Sequence, residues 1–211
     1  MNEYHKIETL FERDMEGTKK LIEGKYRNPS VEYLKDNKWN FTEKIDGTNI
    51  RVHWDGHKVM FGGRTDAAQI PTDLMYALND LFLGITNEQL FEQKFGATPV
   101  MLYGEGYGAG IQKGGGLYRQ DKGFILFDVF IGDLWLEREN VEEIAKAFKL
   151  EVVPTVLTGT IDEAVAYIKT KPKCTVAKDE REAEGLVGRP VVEMKDRRGN
   201  RIIVKIKVCD F

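Results

Sequence analysis

The 211 residues carry both strand and helix signals, which points to a mixed α+β fold. Two kinds of strand signal carry that expectation. Ile50-Arg51-Val52-His53-Trp54 alternates and is followed by Asp55-Gly56 and a second run, Lys58-Val59-Met60-Phe61, the short-range signature of a β-hairpin. Val100–Tyr103 and Phe124–Phe130 are nearly continuous apolar runs, as expected of buried strands. The third observation is a set of apolar stripes at helical spacing, borne by separate segments of the chain.

In chain order, residues 1–40 mix charge with scattered apolar positions and read as one or two short helices and a loop before the first strand. Their basic residues (Lys19, Lys20, Lys25, Arg27, Lys35, Lys38) read first as a solvated face. Pro71-Thr72 opens a helix with Leu74, Leu78, Leu81 and Phe82 on one side, and a second helix is expected over Asn87 to Phe95. The strand ending at Tyr103 delivers Glu105 to its end. It then enters Gly104–Gly116, where seven glycines argue against regular structure. In the next strand Asp128 requires a partner, because an unpaired buried carboxylate is costly. Val141, Ile144, Ala145 and Phe148 form a helical stripe. Thr160-Ile161-Asp162-Glu163 is a capping box opening a helix with Val165 and Ile168 inward. Lys169 to Glu182 reads as an exposed connection. Val191–Met194 and Ile202–Val208 read as a hairpin around Arg198-Gly199-Asn200. In its second arm Ile202, Val204, Ile206 and Val208 share one face, and Ile203, Lys205 and Lys207 the other.

Composition narrows the class. Hydrophobic residues make up 42% and charged residues 31%, as in an ordinary globular protein. No stretch is apolar for long enough to span a membrane, and the N-terminus lacks the form of a signal peptide. Two cysteines without a CxxC and three histidines argue against a disulfide framework or a structural zinc site, and so for a reducing compartment. A net charge of −3 gives no overall attraction to nucleic acid, so such contacts require a local basic surface.

The chemistry centres on Glu43-Lys44-Ile45-Asp46-Gly47-Thr48-Asn49. An amine stands at the mouth of a tight Asp-Gly turn whose glycine lets backbone approach a ligand closely. Alone, such a loop usually carries a solvated lysine. It is followed in order by Arg64, Glu105, Phe127-Asp128, Glu184-Gly185 and Lys205-x-Lys207. That order resembles the covalent nucleotidyltransferase superfamily of polynucleotide ligases and capping enzymes, and most closely the nick-sealing phage RNA ligase family of the ligase 2 type. Lys44–Asn49 matches K-x-x-G-T-N, and Glu105–Lys113 matches G-E…G-x-G-I-Q-K. Phe127-Asp128-Val129 matches F-D-I. Glu184–Val187 and Val204–Lys207 match the fourth and fifth motifs, and the likeness runs over about residues 40–208.

The resemblance implies the nucleotidyltransferase fold, with ATP in the cleft between two antiparallel sheets flanked by helices. It implies an ATP-dependent RNA ligase core. Lys44 attacks the α-phosphate of ATP to give lysyl-AMP, AMP passes to a 5′-phosphate, and a 3′-hydroxyl displaces it. Lys205 and Lys207 would hold the α-phosphate, and Glu184 would bind the metal, Mg²⁺ or Mn²⁺. Glu105, Asn49 and Thr48 would grip the ribose region, Arg64 a phosphate or the ribose, and Phe127 the adenine face. Backbone around Thr42 and Glu43 would meet the adenine edge. A free lysine is ionised at pH 7, and neutralising it costs roughly 4–5 kcal/mol, so cations near Lys44 make chemical sense. The implied partner is nucleic acid with 5′-phosphate and 3′-hydroxyl ends, a nicked RNA duplex or RNA/DNA hybrid, in the cytoplasm (a host's, if phage-encoded).

Two features depart from the family pattern. Asp46 gives the K-x-D-G form of DNA ligases and capping enzymes. Only Val208–Phe211 follows the fifth motif, so a single domain over 1–211 with no C-terminal accessory domain is expected, and sealing would then fall to the N-terminal basic residues or a partner. The competing readings are a DNA ligase, a guanylyltransferase, an adenylyltransferase core that does not seal alone, and a non-catalytic relative.

Overall fold

The computed structural model describes residues 2–211. In chain order its first elements are β1 (Glu8–Thr9), β2 (Phe11–Arg13), β3 (Leu21–Tyr26), α1 (Pro29–Tyr33), β4 (Trp39–Lys44), β5 (Thr48–Trp54) and β6 (Val59–Gly62). Next come α2 (Thr72–Phe82), α3 (Ile85–Phe95), β7 (Val100–Gly108), β8 (Lys122–Ile131), β9 (Leu134–Trp135) and α4 (Arg138–Phe148). The chain ends with β10 (Glu151–Val152), β11 (Thr155–Gly159), α5 (Ile161–Lys169), β12 (Gly185–Pro190) and β13 (Val204–Lys207). The elements form two compact units. The first holds the described residues up to His5, Asp46–Val153 and Ala177–Asp179. The second holds Lys6–Ile45, Pro154–Val176 and Glu180–Phe211.

The first unit is a sheet in the order β10-β8-β7-β5-β6, with β9 on β8; every pairing is antiparallel except β10 with β8. Alternation sends Ile50, Val52 and Trp54 of β5 and Val100 and Leu102 of β7 to one face. There they meet Leu74, Leu78 and Phe82 of α2, Phe91 of α3, and Val141, Ala145 and Phe148 of α4. The helical stripes and the Asp55-Gly56 hairpin thus stand as the sequence predicts, with Trp54 opposite Val59. The glycine-rich span does not. β7 runs through Gly104, Gly106 and Gly108, and Glu105 lies inside the strand, not at its end. These glycines serve close packing: a Cβ on Gly104 would stand 2.3 Å from the Phe124 ring and 2.6 Å from the Ile125 carbonyl oxygen. On β8 the register skips one residue, with Tyr103 opposite Asp128 and Gly104 opposite Leu126, so Phe127 is a β-bulge. Asp128, fully buried, accepts a hydrogen bond from the Tyr4 hydroxyl at 2.8 Å, which answers the expected need for a partner.

The second unit is a sheet in the order β1-β13-β12-β4-β11, with β2 and β3 as a separate hairpin. The helices expected before residue 40 reduce to α1, and three strands replace the rest. β1 pairs parallel with β13, a contact near the far end of the chain for which the local sequence holds no signal. Lys25 and Arg27 pair with Glu12 and Glu8, so these two basic residues are committed to the hairpin and β1. Trp39 and Phe41 of β4, Leu186 of β12 and Val204 and Ile206 of β13 pack on Ile161, Ala164 and Ile168 of α5. The Thr160–Glu163 capping box starts α5 as expected. The expected 191–208 hairpin shrinks to a single Lys195–Arg201 bridge, and β13 takes β12 as its partner, joining Val204 to Gly188. Val191 and Val192, which the pattern assigned to a strand, are exposed.

Because the ring and carbonyl around Gly104 cannot both retreat, Gly104→Ala is expected to cost about 2–3 kcal/mol. Urea denaturation checks this; a cost within experimental error of zero would show that the strand has room there.

Candidate active site

In the second unit, three neighbouring strands bring the catalytic candidates together. Lys44 closes β4, Gly185 opens β12 and Lys207 closes β13, and Gly185 is the register partner of both lysines. Glu184, the residue before Gly185, places one carboxylate oxygen 2.8 Å from the Lys44 Nζ and the other 2.8 Å from the Lys207 Nζ. Gly185 permits this convergence: a Cβ there would lie 2.1 Å from the Ile206 carbonyl oxygen. The three side chains are partly shielded, at 24%, 14% and 31% exposure for Lys44, Glu184 and Lys207. A carboxylate so placed without cations would be costly, and two charge-assisted hydrogen bonds offset that cost. Burial pulls the Lys207 pKa down, but the hydrogen bond and charge of Glu184 outweigh it, so the group titrates above the ordinary lysine value.

Alternation puts Lys205 on the same strand face as Lys207, about 7 Å away, while Val204 and Ile206 point into the core. The face bearing Lys44, Glu184, Lys205 and Lys207 therefore carries a net positive charge suited to phosphate oxygens. Thr42 shares the Lys44 face of β4, and its hydroxyl donates to the Val187 carbonyl at 3.3 Å. Glu43 points the other way. It is 3% exposed, accepts hydrogen bonds from the Thr175 amide (2.9 Å) and hydroxyl, and its own amide donates to the Pro154 carbonyl at 2.9 Å.

The remaining candidates belong to the first unit. Thr48 and Asn49 start β5, and Asn49 is the register partner of Glu105 on β7. Both project from the sheet face opposite the helix-packed core. The buried Asn49 Oδ1 accepts no hydrogen bond among the described residues. The bulge carries Phe127, which meets Tyr4 edge-on at 5.1 Å. Arg64 is exposed just past β6.

Several further residues support these candidates. The buried Tyr118 hydroxyl accepts from the Asp46 amide at 3.0 Å, and Gln112 Nε2 donates to the Gly47 carbonyl at 3.0 Å. The glycine-rich loop therefore fixes the turn after Lys44 from both sides. Gly47 has no room for a side chain, since its Cβ would lie 2.3 Å from the Gly106 carbonyl oxygen. Arg51, fully buried, donates to the Gly63 carbonyl (2.7 Å) and to Asp66 (2.9 Å), bracketing Arg64. Gln112 falls inside the G-x-G-I-Q-K match, and an arginine inside an alternating run was a further hint. Tyr118 had none, acting from 72 residues away.

Among the described residues no cluster of three or more His, Cys, Asp or Glu could hold a metal unaided. One carboxylate beside a cationic face suited to phosphate does fit Mg²⁺, which completes its shell with phosphate oxygens and water. Each Glu184 oxygen keeps a further lone pair beyond its lysine contact.

The family model described as RNA ligase matches residues 37–207. No curated protein sequence matches the chain. Among solved structures, a mutant Naegleria gruberi RNA ligase with ATP and Mn aligns with a TM-score of 0.62 at 18% identity, over 85% of this chain and 51% of that one. An apo mutant of the same ligase aligns at 0.63 and 19%, over 86% and 52%. The form with PPi aligns at 0.61 and 21%, over 85% and 52%. The fold is thus shared with the RNA ligase nucleotidyltransferase core, and the chain spans about half the length of these relatives.

The raised Lys207 pKa sets a testable pH dependence. A lysine whose folded pKa is raised contributes stability below its unfolded value of 10.5, and that contribution is lost as pH rises through the folded pKa. In Glu184→Gln the main source of the raise is gone, leaving only the weaker pull of Cys209 and Asp210. The stability gap between wild type and variant, measured by urea denaturation, is expected to hold steady up to the ordinary lysine value and to narrow above it. A gap that does not change with pH would show that Glu184 does not stabilise the Lys207 ammonium.

Proposed function

The chain belongs to the RNA ligase family, and we propose that it is the catalytic core of an ATP-dependent RNA ligase that joins strands through a covalent lysyl-AMP. The observation that carries this reading is the Lys44–Glu184–Lys207 arrangement: a lysine in a fixed turn, beside a carboxylate and a second lysine on a phosphate-favouring face.

In the proposed first step the Lys44–Glu184 contact opens and Lys44 Nζ gives up a proton to solvent water. Its lone pair forms an N–P bond to the α-phosphorus of ATP, and the bond to the bridging oxygen breaks, releasing pyrophosphate. Lys207 stays beside Glu184 as the carboxylate's counter-charge and, with Lys205, stabilises charge on the α-phosphate oxygens. A divalent cation held by Glu184 and the phosphates, Mg²⁺ or Mn²⁺, would supply further charge neutralisation. Thr48, Asn49 and Glu105 bind the ribose region in this scheme, and Asn49 Oδ1 is a buried acceptor awaiting a donor. Phe127 stacks on adenine, Arg64 contacts a phosphate or the ribose, and Thr42 flanks the base. For Glu43 the proposal is confined to its backbone carbonyl, since its side chain and amide are engaged elsewhere.

In the second step an oxygen of a 5′-phosphate attacks the same phosphorus, the N–P bond breaks and the amine regains a proton. In the third, a 3′-hydroxyl attacks the 5′-phosphorus, AMP leaves, and the strands are joined. The proposed substrate is a nick in duplex RNA or an RNA/DNA hybrid, and the Thr48-Asn49 and Gly110-Ile111-Gln112-Lys113 sequences favour RNA over DNA.

Incubation with α-labelled ATP and Mg²⁺ should yield an acid-stable covalent label that is lost in Lys44→Ala, and the labelled protein should release AMP on addition of 5′-phosphorylated nicked duplex. Absence of label across divalent metals and pH would overturn the catalytic reading. Joining of all-DNA nicks only would overturn the RNA assignment.

A further inference from the structure

The excursion between β12 and β13 has no role in the scheme above. Its tip, Lys195-Asp196-Arg197-Arg198-Gly199-Asn200, exposes Lys195, Arg197 and Arg198, and none of the three forms an ion pair with another side chain among the described residues. The nearby acids offset them only in part: Asp196 is ionised, and the charge of Arg198 is among the influences that favour that form, so the three cations and this one acid leave the tip with a net charge of +2. Asp196 spends its carboxylate inside the turn: one oxygen accepts from the amides of Arg198 and Asn200, both at 2.8 Å, and the other accepts from the Asn200 side chain at 3.0 Å. Those hydrogen bonds, the Asn200 side chain foremost, hold its pKa below the usual carboxylate range. Glu193 is bound by Arg201 through two nitrogens. The backbone is closed by Asp196 amide to Asn200 carbonyl (2.8 Å) and Gly199 amide to Asp196 carbonyl (3.0 Å), with Gly199 at φ 82°. Three cations thus project from a rigid turn in a chain whose net charge is −3.

We propose that this turn is a docking site for the phosphate backbone of the nucleic-acid substrate, through Lys195, Arg197 and Arg198. The ligand class rests on the ligase reading above. Rigidity matters because a preformed turn loses little conformational freedom on binding. Position matters as well. The turn lies at the Val204 end of β13, whereas Lys207, beside Glu184, lies at the other end. β13 runs about 10 Å from Val204 to Lys207 at the rise of a strand, and the turn lies beyond Val204, so it stands more than about three nucleotide steps from Lys207. The turn would therefore grip phosphates several steps from the reacting end and leave the chemistry untouched.

The test compares the full chain with the triple variant Lys195→Ala, Arg197→Ala, Arg198→Ala on a nicked RNA duplex carrying a 5′-phosphate. Affinity is expected to fall about tenfold or more, and the slope of log K against log salt to flatten by about 2–3. Labelling of Lys44 by ATP alone should equal wild type. Arg197→Lys with Arg198→Lys should restore the slope, since phosphate binding needs charge. A duplex cut back to about four base pairs on each side of the nick should bind wild type and triple variant alike. Unchanged affinity and slope would overturn the proposal, as would an equal loss on the shortened duplex or a matching fall in Lys44 labelling. Failure of wild type to label Lys44 would instead strike the ligase reading, while the binding comparison still reports on the turn.

Discussion

The carboxylate of Glu184, bonded at once to Lys44 and Lys207, is the interaction on which the site depends. Two ammonium groups at the ends of the strands flanking β12 repel each other, and a lone carboxylate at 14% exposure would pay for its lost hydration. Together they satisfy one another and hold three strand ends in register. Gly185 makes the geometry attainable by letting the Ile206 carbonyl come where a side chain would otherwise stand. Lys207, one of the cations expected near Lys44, reaches it through the shared Glu184 carboxylate, so an acid stands between the two amines.

The sheets around the site show how function is laid on an ordinary scaffold. In each unit one sheet face is packed against helices with apolar side chains, and the opposite face carries the polar candidates: Lys44, Lys205 and Lys207 in one, Asn49 and Glu105 in the other. The first unit adds a set of supporting contacts around its candidates. Tyr118 and Gln112 pin the turn after Lys44, Arg51 brackets Arg64, and Tyr4 bonds Asp128 while touching Phe127. The structural similarity to Naegleria gruberi RNA ligase at about one-fifth identity shows that this scaffold persists while most side chains change.

What could be read from the sequence follows from how local each feature is. The Asp55-Gly56 hairpin, the stripes of α2 and α4, and the α5 capping box are written within a few residues, and they fold as read. The two-residue period of β13 correctly separated Val204 and Ile206 from Lys205 and Lys207. Features decided by distant partners were not legible. β1 exists because β13 pairs with it, β7 keeps its glycines extended because Phe124 and Leu74 leave no room for side chains, and the Phe127 bulge arises from cross-strand register. Lys44 and Glu184 are 140 residues apart, so only the order of motifs, not any local pattern, pointed to their meeting.

The central claim is that Lys44, and no other amine on the phosphate-favouring face, forms the bond to AMP. Peptide mapping by mass spectrometry after incubation with ATP and Mg²⁺ tests it most directly. The account predicts a single AMP adduct on the peptide bearing Lys44, removed by pyrophosphate. An adduct on Lys205 or Lys207, or none on any lysine of a protein that binds ATP, would contradict it.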